Sequence, residues 1–154
     1  MSYKWSEITK RGSITAGGGD HNLNFQRIHN AWVGRYGDSE DWSWGAEIES
    51  SRSESDGTIS FGDHSLDRTS GRIQLLGPAS QTDLVFGYQD KFFGLPGMYT
   101  GNEAANRETE DIQTRLIVLN HHLEYDSASF WEASVFHRRL SDHFILRRDN
   151  PTFY

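Results

Sequence analysis

The sequence predicts an all-β protein, an antiparallel meander of about seven to eight long strands forming part of a transmembrane β-barrel. Three observations lead there. Segments that alternate apolar and polar residues recur along the chain, and no stretch holds a helical period. Only 35% of the residues are apolar and the mean hydropathy is −0.70, yet aromatic residues make up 13%. A barrel wall reconciles those figures, because every second strand residue faces lipid, its neighbours face a wet lumen, and Trp and Tyr gather at the two interfaces. Finally, short turn-forming connections largely alternate with longer ones, as they do between the two rims of such a barrel.

The first segment, about Tyr3 to Gly19, sets Ile8, Ile14 and Ala16 against Thr9, Arg11, Ser13 and Thr15. The second, about Asn22 to Arg35, mixes its parities and has no clear phase. In the third, about Asp41 to Arg52, Trp42, Trp44, Ala46 and Ile48 alternate with Ser43, Gly45, Glu47 and Glu49, so one face is apolar and the other wet. The fourth, about Ser65 to Leu76, opposes Thr69, Gly71, Ile73 and Leu75 to Ser70, Arg72 and Gln74; the fifth opposes Leu84, Phe86 and Tyr88 to Asp83, Val85, Gly87 and Gln89. In the sixth, about Glu108 to Tyr125, Ile112, Thr114, Leu116 and Val118 share one parity, with Asp111, Gln113 and Arg115 on the other. The seventh sets Trp131, Ala133 and Val135 against Glu132 and Ser134.

Gly37-Asp38-Ser39-Glu40, Gly77-Pro78-Ala79-Ser80-Gln81 and Asp126-Ser127-Ala128-Ser129 have turn chemistry and are expected at one end of the sheet. Ser53–His64, Lys91–Arg107 and the tight Asp20-His21 hairpin are expected at the other. Trp42 and Trp44 follow one short turn and Trp131 another, the positions of an interfacial aromatic girdle. With Ala46, Ile48, Leu84, Phe86, Leu116, Val118 and Val135 they are expected to form one outward, lipid-facing surface. An odd strand count cannot close an antiparallel barrel, so the expectation for residues 1–154 is a partial barrel domain.

Other classes fare worse. No run approaches the roughly 20 apolar residues of a membrane helix. Met1 to Glu7 contains no apolar core of a secretory signal. There is no cysteine, which removes disulfide frameworks and thiolate metal sites, and a net charge of −7 without a basic stripe argues against nucleic acid. His121 and His122 are adjacent on a strand and point to opposite faces, so they cannot hold one metal ion together. Glu47 and Glu49 share a face and could pair as acid and base, but ordinary lumen polarity accounts for them. The acids around Asp38–Asp41 and Asp56-Gly57 lack the spacing of a calcium loop; there is no nucleophile elbow, and Gly17-Gly18-Gly19 ends a strand instead of opening a helix. No catalytic residue, metal or cofactor is expected, and the chain is not expected to be an enzyme. Phe92, Phe93, Leu95, Met98 and Tyr99 form an apolar cluster expected in an external loop, with Phe92, Phe93 and Tyr99 as candidate ligand contacts. The alternative for this cluster is extension of the flanking strands or packing of the loop on itself.

Several segments resemble TonB-dependent outer-membrane receptors: Gly12-Ser13-Ile14-Thr15-Ala16-Gly17-Gly18-Gly19-Asp20-His21-Asn22, Gly87-Tyr88-Gln89-Asp90-Lys91-Phe92-Phe93-Gly94, Glu108-Thr109-Glu110-Asp111-Ile112-Gln113-Thr114, and the strand Trp131 to Arg139. The similarity runs from about Arg11 to Arg148 and consists of strand-and-turn patterns without a single diagnostic signature. It implies residence in the bacterial outer membrane and active uptake of a scarce nutrient such as a ferric siderophore or cobalamin, energised by the inner-membrane TonB complex. The family's plug domain and TonB-contacting segment have no counterpart here, so the complex would be engaged through a region of a longer parent. Two alternatives stand beside it. A soluble, lipocalin-like barrel would turn the apolar parity inward around a small ligand, and Lys4-Trp5-Ser6 near its start would suit that class. A small complete outer-membrane barrel with an adhesive or structural role would suit the terminal Tyr154, although Asn150-Pro151 would interrupt a closing strand.

Overall fold

A computed structural model of the chain describes residues 5–37, 41–101 and 107–150. Among them are seven strands and no helix: β1 (Arg11–Gly18), β2 (Asn24–Arg35), β3 (Ser43–Ser55), β4 (His64–Gly77), β5 (Ser80–Gly94), β6 (Thr109–Asp126) and β7 (Ser129–Ile145). They form one open antiparallel sheet in sequence order, each strand hydrogen-bonded to the next. Where the links are short, at β1–β2, β2–β3, β4–β5 and β6–β7, they leave two successive strands no geometry except antiparallel neighbours. The links β2–β3, β4–β5 and β6–β7 lie at one end, the turn end; β1–β2, β3–β4 and β5–β6 lie at the other, the loop end. Of the first short link, Asp38-Ser39-Glu40 lie outside the described residues, as do Met1–Lys4, 102–106 and 151–154.

Local chemistry shapes the links. Asp20-His21-Asn22-Leu23 is a tight hairpin in which Leu23 N–H donates to the Asp20 carbonyl at 3.2 Å, with His21 and Asn22 at φ 57° and 55°. Positive φ at both central residues is the twist-matching hairpin turn, and Asn tolerates it better than most residues. The Asn22 side chain also bonds Asp56, tying this hairpin to the next link.

Two sequence expectations are corrected. Residues 5–10 do not begin the first strand. They leave the sheet and cross its polar face, because the Ser6 carbonyl accepts from Arg72 and Gln74 and the Ile8 N–H donates to Gln74 in place of a ladder, and Ile8 packs where Gly45 has no side chain. Phe92 and Phe93 are not in a loop either; they take the alternative of extending the flanking strand β5, with Phe92 opposite Asp111 and Phe93 opposite Glu110. Strand pairing with β6 continues past the end of the clear alternation and claims both residues.

Candidate functional site

The register separates two faces of unlike chemistry. One carries the row Trp32, Ala46, Ile73, Leu84, Leu119 and Val135, continuous across β2 to β7. The adjoining rows add Ile48, Phe86 and Ile117 on the loop side and Trp44, Leu75 and Ala133 on the turn side. Trp131, paired with Leu123, follows closer to the turns, and the Trp42 ring lies over Gly77. Large side chains on this face are exposed, from 36% for Phe86 to 81% for Ile14. Aromatic rings fill the glycine gaps: the Trp44 indole lies across Gly34 and the Phe86 ring across Gly71, where an added Cβ would come within 2.8 and 2.3 Å.

This apolar band runs obliquely to the cross-strand rows. On β2 it centres on Asn30, between Ile28 and Trp32, and the row through Asn30 reaches β7 at His137. On β7 the band centres on Ala133, four residues nearer the turn end. At standard strand spacings the shift is about 13 Å along the strands over about 24 Å across them, an inclination of about 30°.

The other face is polar and enclosed at its centre, around β4 to β6, although Val33 on β2 and Phe136 and Leu140 on β7 are exposed on it. Asp83 and Gln74 are at 0% and 1% exposure, and Asn120 is also at 1%. Asp83 accepts hydrogen bonds from Arg72 at 2.8 Å, Gln74 at 3.0 Å and Gln81 at 2.9 Å, so the buried charge is both paired and solvated by side chains. The crossing segment completes this network. The Ser6 carbonyl accepts from Arg72 at 2.6 Å and Gln74 at 2.9 Å, while Ile8 N–H donates to Gln74 Oε1 at 3.0 Å. At the segment's start the Trp5 indole donates to Glu132 at 2.5 Å and its ring lies 5.3 Å from that of His122. Beyond it, a groove of about 590 Å³ borders Arg11, Arg27, His29, Glu47, Glu49 and Arg72. Its charges are mostly matched: Glu49 bonds Arg27, and Glu47 lies 3.6 Å from both Arg11 and His29.

The loop end is knitted by side chains. Arg148 forms a forked pair with Asp63 at 2.6 and 2.8 Å, and that guanidinium holds the Asp63 carboxyl below the usual carboxylate range. Arg107 lies over the Phe61 ring at 4.1 Å. Tyr99 stands edge-on to Phe144 at 5.3 Å, and chiefly the negative charge of Glu110 pushes its phenol above its ordinary range. Its backbone N–H donates to the fully buried Glu108 at 2.9 Å.

Of the surface residues expected together, Trp42, Trp44, Ala46, Ile48, Leu84, Phe86, Trp131 and Val135 lie on the apolar face. Leu116 and Val118 do not: they pair with Gly87 and Val85 on the polar face, which corrects that expectation. Leu116-Ile117-Val118-Leu119 is apolar at every position, so alternation carries no phase there, and the register with β5 puts Ile117 and Leu119 outward instead. Trp32, Ile28 and Ile73 also belong to the apolar face; the mixed parity of β2 hid the first two, while Ile73 was legible from its alternation with Arg72 and Gln74. Phe92, Phe93 and Tyr99 form no single cluster, since Phe92 and Phe93 point to opposite faces and only Tyr99 is in a loop. His121 and His122 likewise part, His121 against Trp131 at 5.1 Å and His122 beside Glu132. Among the described residues no group of three or more His, Asp or Glu is arranged to hold a metal ion.

Compared with known proteins, the chain matches no family model, and no curated protein or solved structure is significantly similar to it.

Proposed function

We propose that this chain is a section of the wall of a bacterial outer-membrane β-barrel, with its apolar face toward lipid and its polar face toward the lumen. The observation that carries this reading is the inverted burial: the large apolar side chains of one face are exposed while Gln74, Asp83 and Asn120 on the other are buried. In water that arrangement exposes what folding normally hides; in a bilayer it places each group in a solvent that suits it. The oblique band supports the same reading, since barrel strands tilt by roughly 35–45° to the membrane normal. Strands of 12 to 18 residues in β2–β7 also exceed the 9–11 needed to cross. A lipocalin-like protein would enclose its apolar parity around a ligand, whereas here that parity is the exposed one.

The segments resembling TonB-dependent receptors extend the proposal to the uptake of a scarce nutrient, a ferric siderophore or cobalamin, with energy from the TonB complex reached through another part of the parent protein. In that role the polar face contributes to the lumen wall and the loop end to the outer surface.

Single-tryptophan variants reconstituted with lipids brominated on their acyl chains test the wall reading. A chain keeping only Trp44 is expected to be quenched, and one keeping only Trp5, on the polar face, is expected to be spared. Equal quenching of both, or of neither in folded protein, would overturn it.

A further inference from the structure

We propose that Arg115 and Arg139 form a binding site for the net-anionic phosphomonoester of a lipid headgroup, as distinct from a phosphodiester already balanced by its own choline, at the loop-side border of the apolar face. The two arginines are direct cross-strand partners on β6 and β7. Opposed residues have Cβ atoms about 5 Å apart, and like charges so placed are destabilising. Several other strand cations are matched, Arg27 with Glu49, Arg52 with Glu54 and Arg72 with Asp83, while Arg35, Arg68 and Arg138 have no ion pair among the described residues but face no second cation across the ladder. Here, among the described residues, neither guanidinium has a carboxylate partner within 4 Å; Arg115 donates only to the neutral Gln113 carboxamide at 2.8 Å. Asp90, on the adjoining row of β5, is engaged by the Tyr88 phenol at 3.0 Å.

Between the two arginines lies a notch of about 100 Å³ lined by Gln113, Arg115, Arg139 and Ser141. Two planar guanidiniums and a hydroxyl are donors only or donors first, a set that suits a tetrahedral oxyanion and offers nothing to a cation. The volume fits one phosphate group. Its setting identifies the source as lipid, an assignment that rests on the membrane reading above. On the turn side the same face continues into Ile117 opposite His137 and then into Leu119 and Val135, and on the loop side into polar Gln113 and Ser141. An amphiphile lying along β6 and β7 would therefore set its acyl chains on the isoleucine and leucine and its phosphate between the arginines. That phosphate removes the repulsion which the sheet otherwise carries.

Vesicle partitioning of the full chain tests the site, using phosphatidylcholine alone and phosphatidylcholine containing one-fifth phosphatidic acid. The double variant R115Q/R139Q is compared with wild type and with R138Q, which removes one cation from the opposite face of the same strand. Each cation near an anionic surface contributes a factor of about five, so the double variant should bind the phosphatidic acid vesicles about twenty-five-fold more weakly. Its partitioning into phosphatidylcholine should be unchanged, and R138Q should behave as wild type. Equal binding of both vesicle types by wild type would overturn the phosphate site and leave the membrane reading standing. Failure of folded wild type to enter phosphatidylcholine would overturn both. An R138Q loss of about fivefold, the per-cation share of the double variant's, would reduce the effect to bulk charge. Loss of the preference on adding inorganic phosphate, at the phosphatidic acid concentration, would make the ligand free phosphate and overturn the lipid assignment.

Discussion

Asp83 and Leu84 are neighbours in sequence and opposites in environment. Asp83 is fully buried and receives three side-chain hydrogen bonds, while Leu84 is 38% exposed in the middle of a continuous apolar row. The same contrast repeats between Gln74 and Ile73 and between Asn120 and Leu119. In these central strands the order is reversed from that of a protein folded around an apolar core, whereas on β2 and β7 the polar face also carries exposed apolar residues such as Val33 and Phe136. The polar face is held by specific partners, whose loss is local and costly. The apolar face is held by its match to a surrounding solvent, so its substitutions should register mainly in membrane entry.

The largest effect is expected where the polar face is broken. Asp83→Ala leaves Arg72 and Gln74 buried without their shared acceptor, and removing one member of a buried pair costs about 3–5 kcal/mol. Chemical unfolding of the refolded chain in detergent would measure it, and a loss under about 1 kcal/mol would show that the crossing segment alone satisfies those groups.

Adjacent residues on β6 sharpen the comparison. Leu119→Arg places a charge on the apolar face and should weaken bilayer insertion by about 2–4 kcal/mol, whereas Val118→Arg, on the polar face, should cost less than about 1. Partitioning into vesicles reads the difference directly. The reverse order would return Val118 to the outward surface and displace the register described here.

A smaller contrast comes from two glycines. At Gly71 an added Cβ meets the Phe86 ring at 2.3 Å and the Glu47 carbonyl at 2.9 Å, while at Gly87 the nearest atom is Leu116 Cβ at 3.8 Å. Gly71→Ala is expected to destabilise by about 1–3 kcal/mol through overpacking. Gly87→Ala should be close to neutral, and paired unfolding curves would show whether the ring can swing aside.

The smallest effect belongs to the loop end. Because the folded-state pKa of Asp63 is lowered by Arg148, its contribution is present above the ordinary carboxylate range and is lost as pH falls through the lowered value. For a partly exposed forked pair this is worth about 1 kcal/mol at most. Asp63→Asn should remove that part of the acid sensitivity, seen as a flatter pH dependence of loop protection in hydrogen exchange, and leave the sheet unaffected.

Composition and alternation alone determined the all-β class, the meander order, the end at which the short turns gather, and the faces of β3, β5 and β7. These are legible because a strand's side chains alternate with period two, and in those strands every second residue differs sharply in polarity from its neighbours, as in Trp44-Gly45-Ala46-Glu47. The tertiary structure decided the rest. Leu116-Ile117-Val118-Leu119 has no polar beat to follow, so only pairing with β5 fixes which two residues point outward. Phe92 and Phe93 are both apolar and read as a cluster until β6 draws them into a strand that sends them apart. The departure of residues 5–10 depends on Arg72 and Gln74, more than sixty positions away, whose side chains supply hydrogen bonds that a longer β1–β2 ladder would otherwise have offered. Period two is a property of one strand, whereas phase, strand ends and the opposed arginines at 115 and 139 are properties of pairs, and pairs exist only once the sheet has formed.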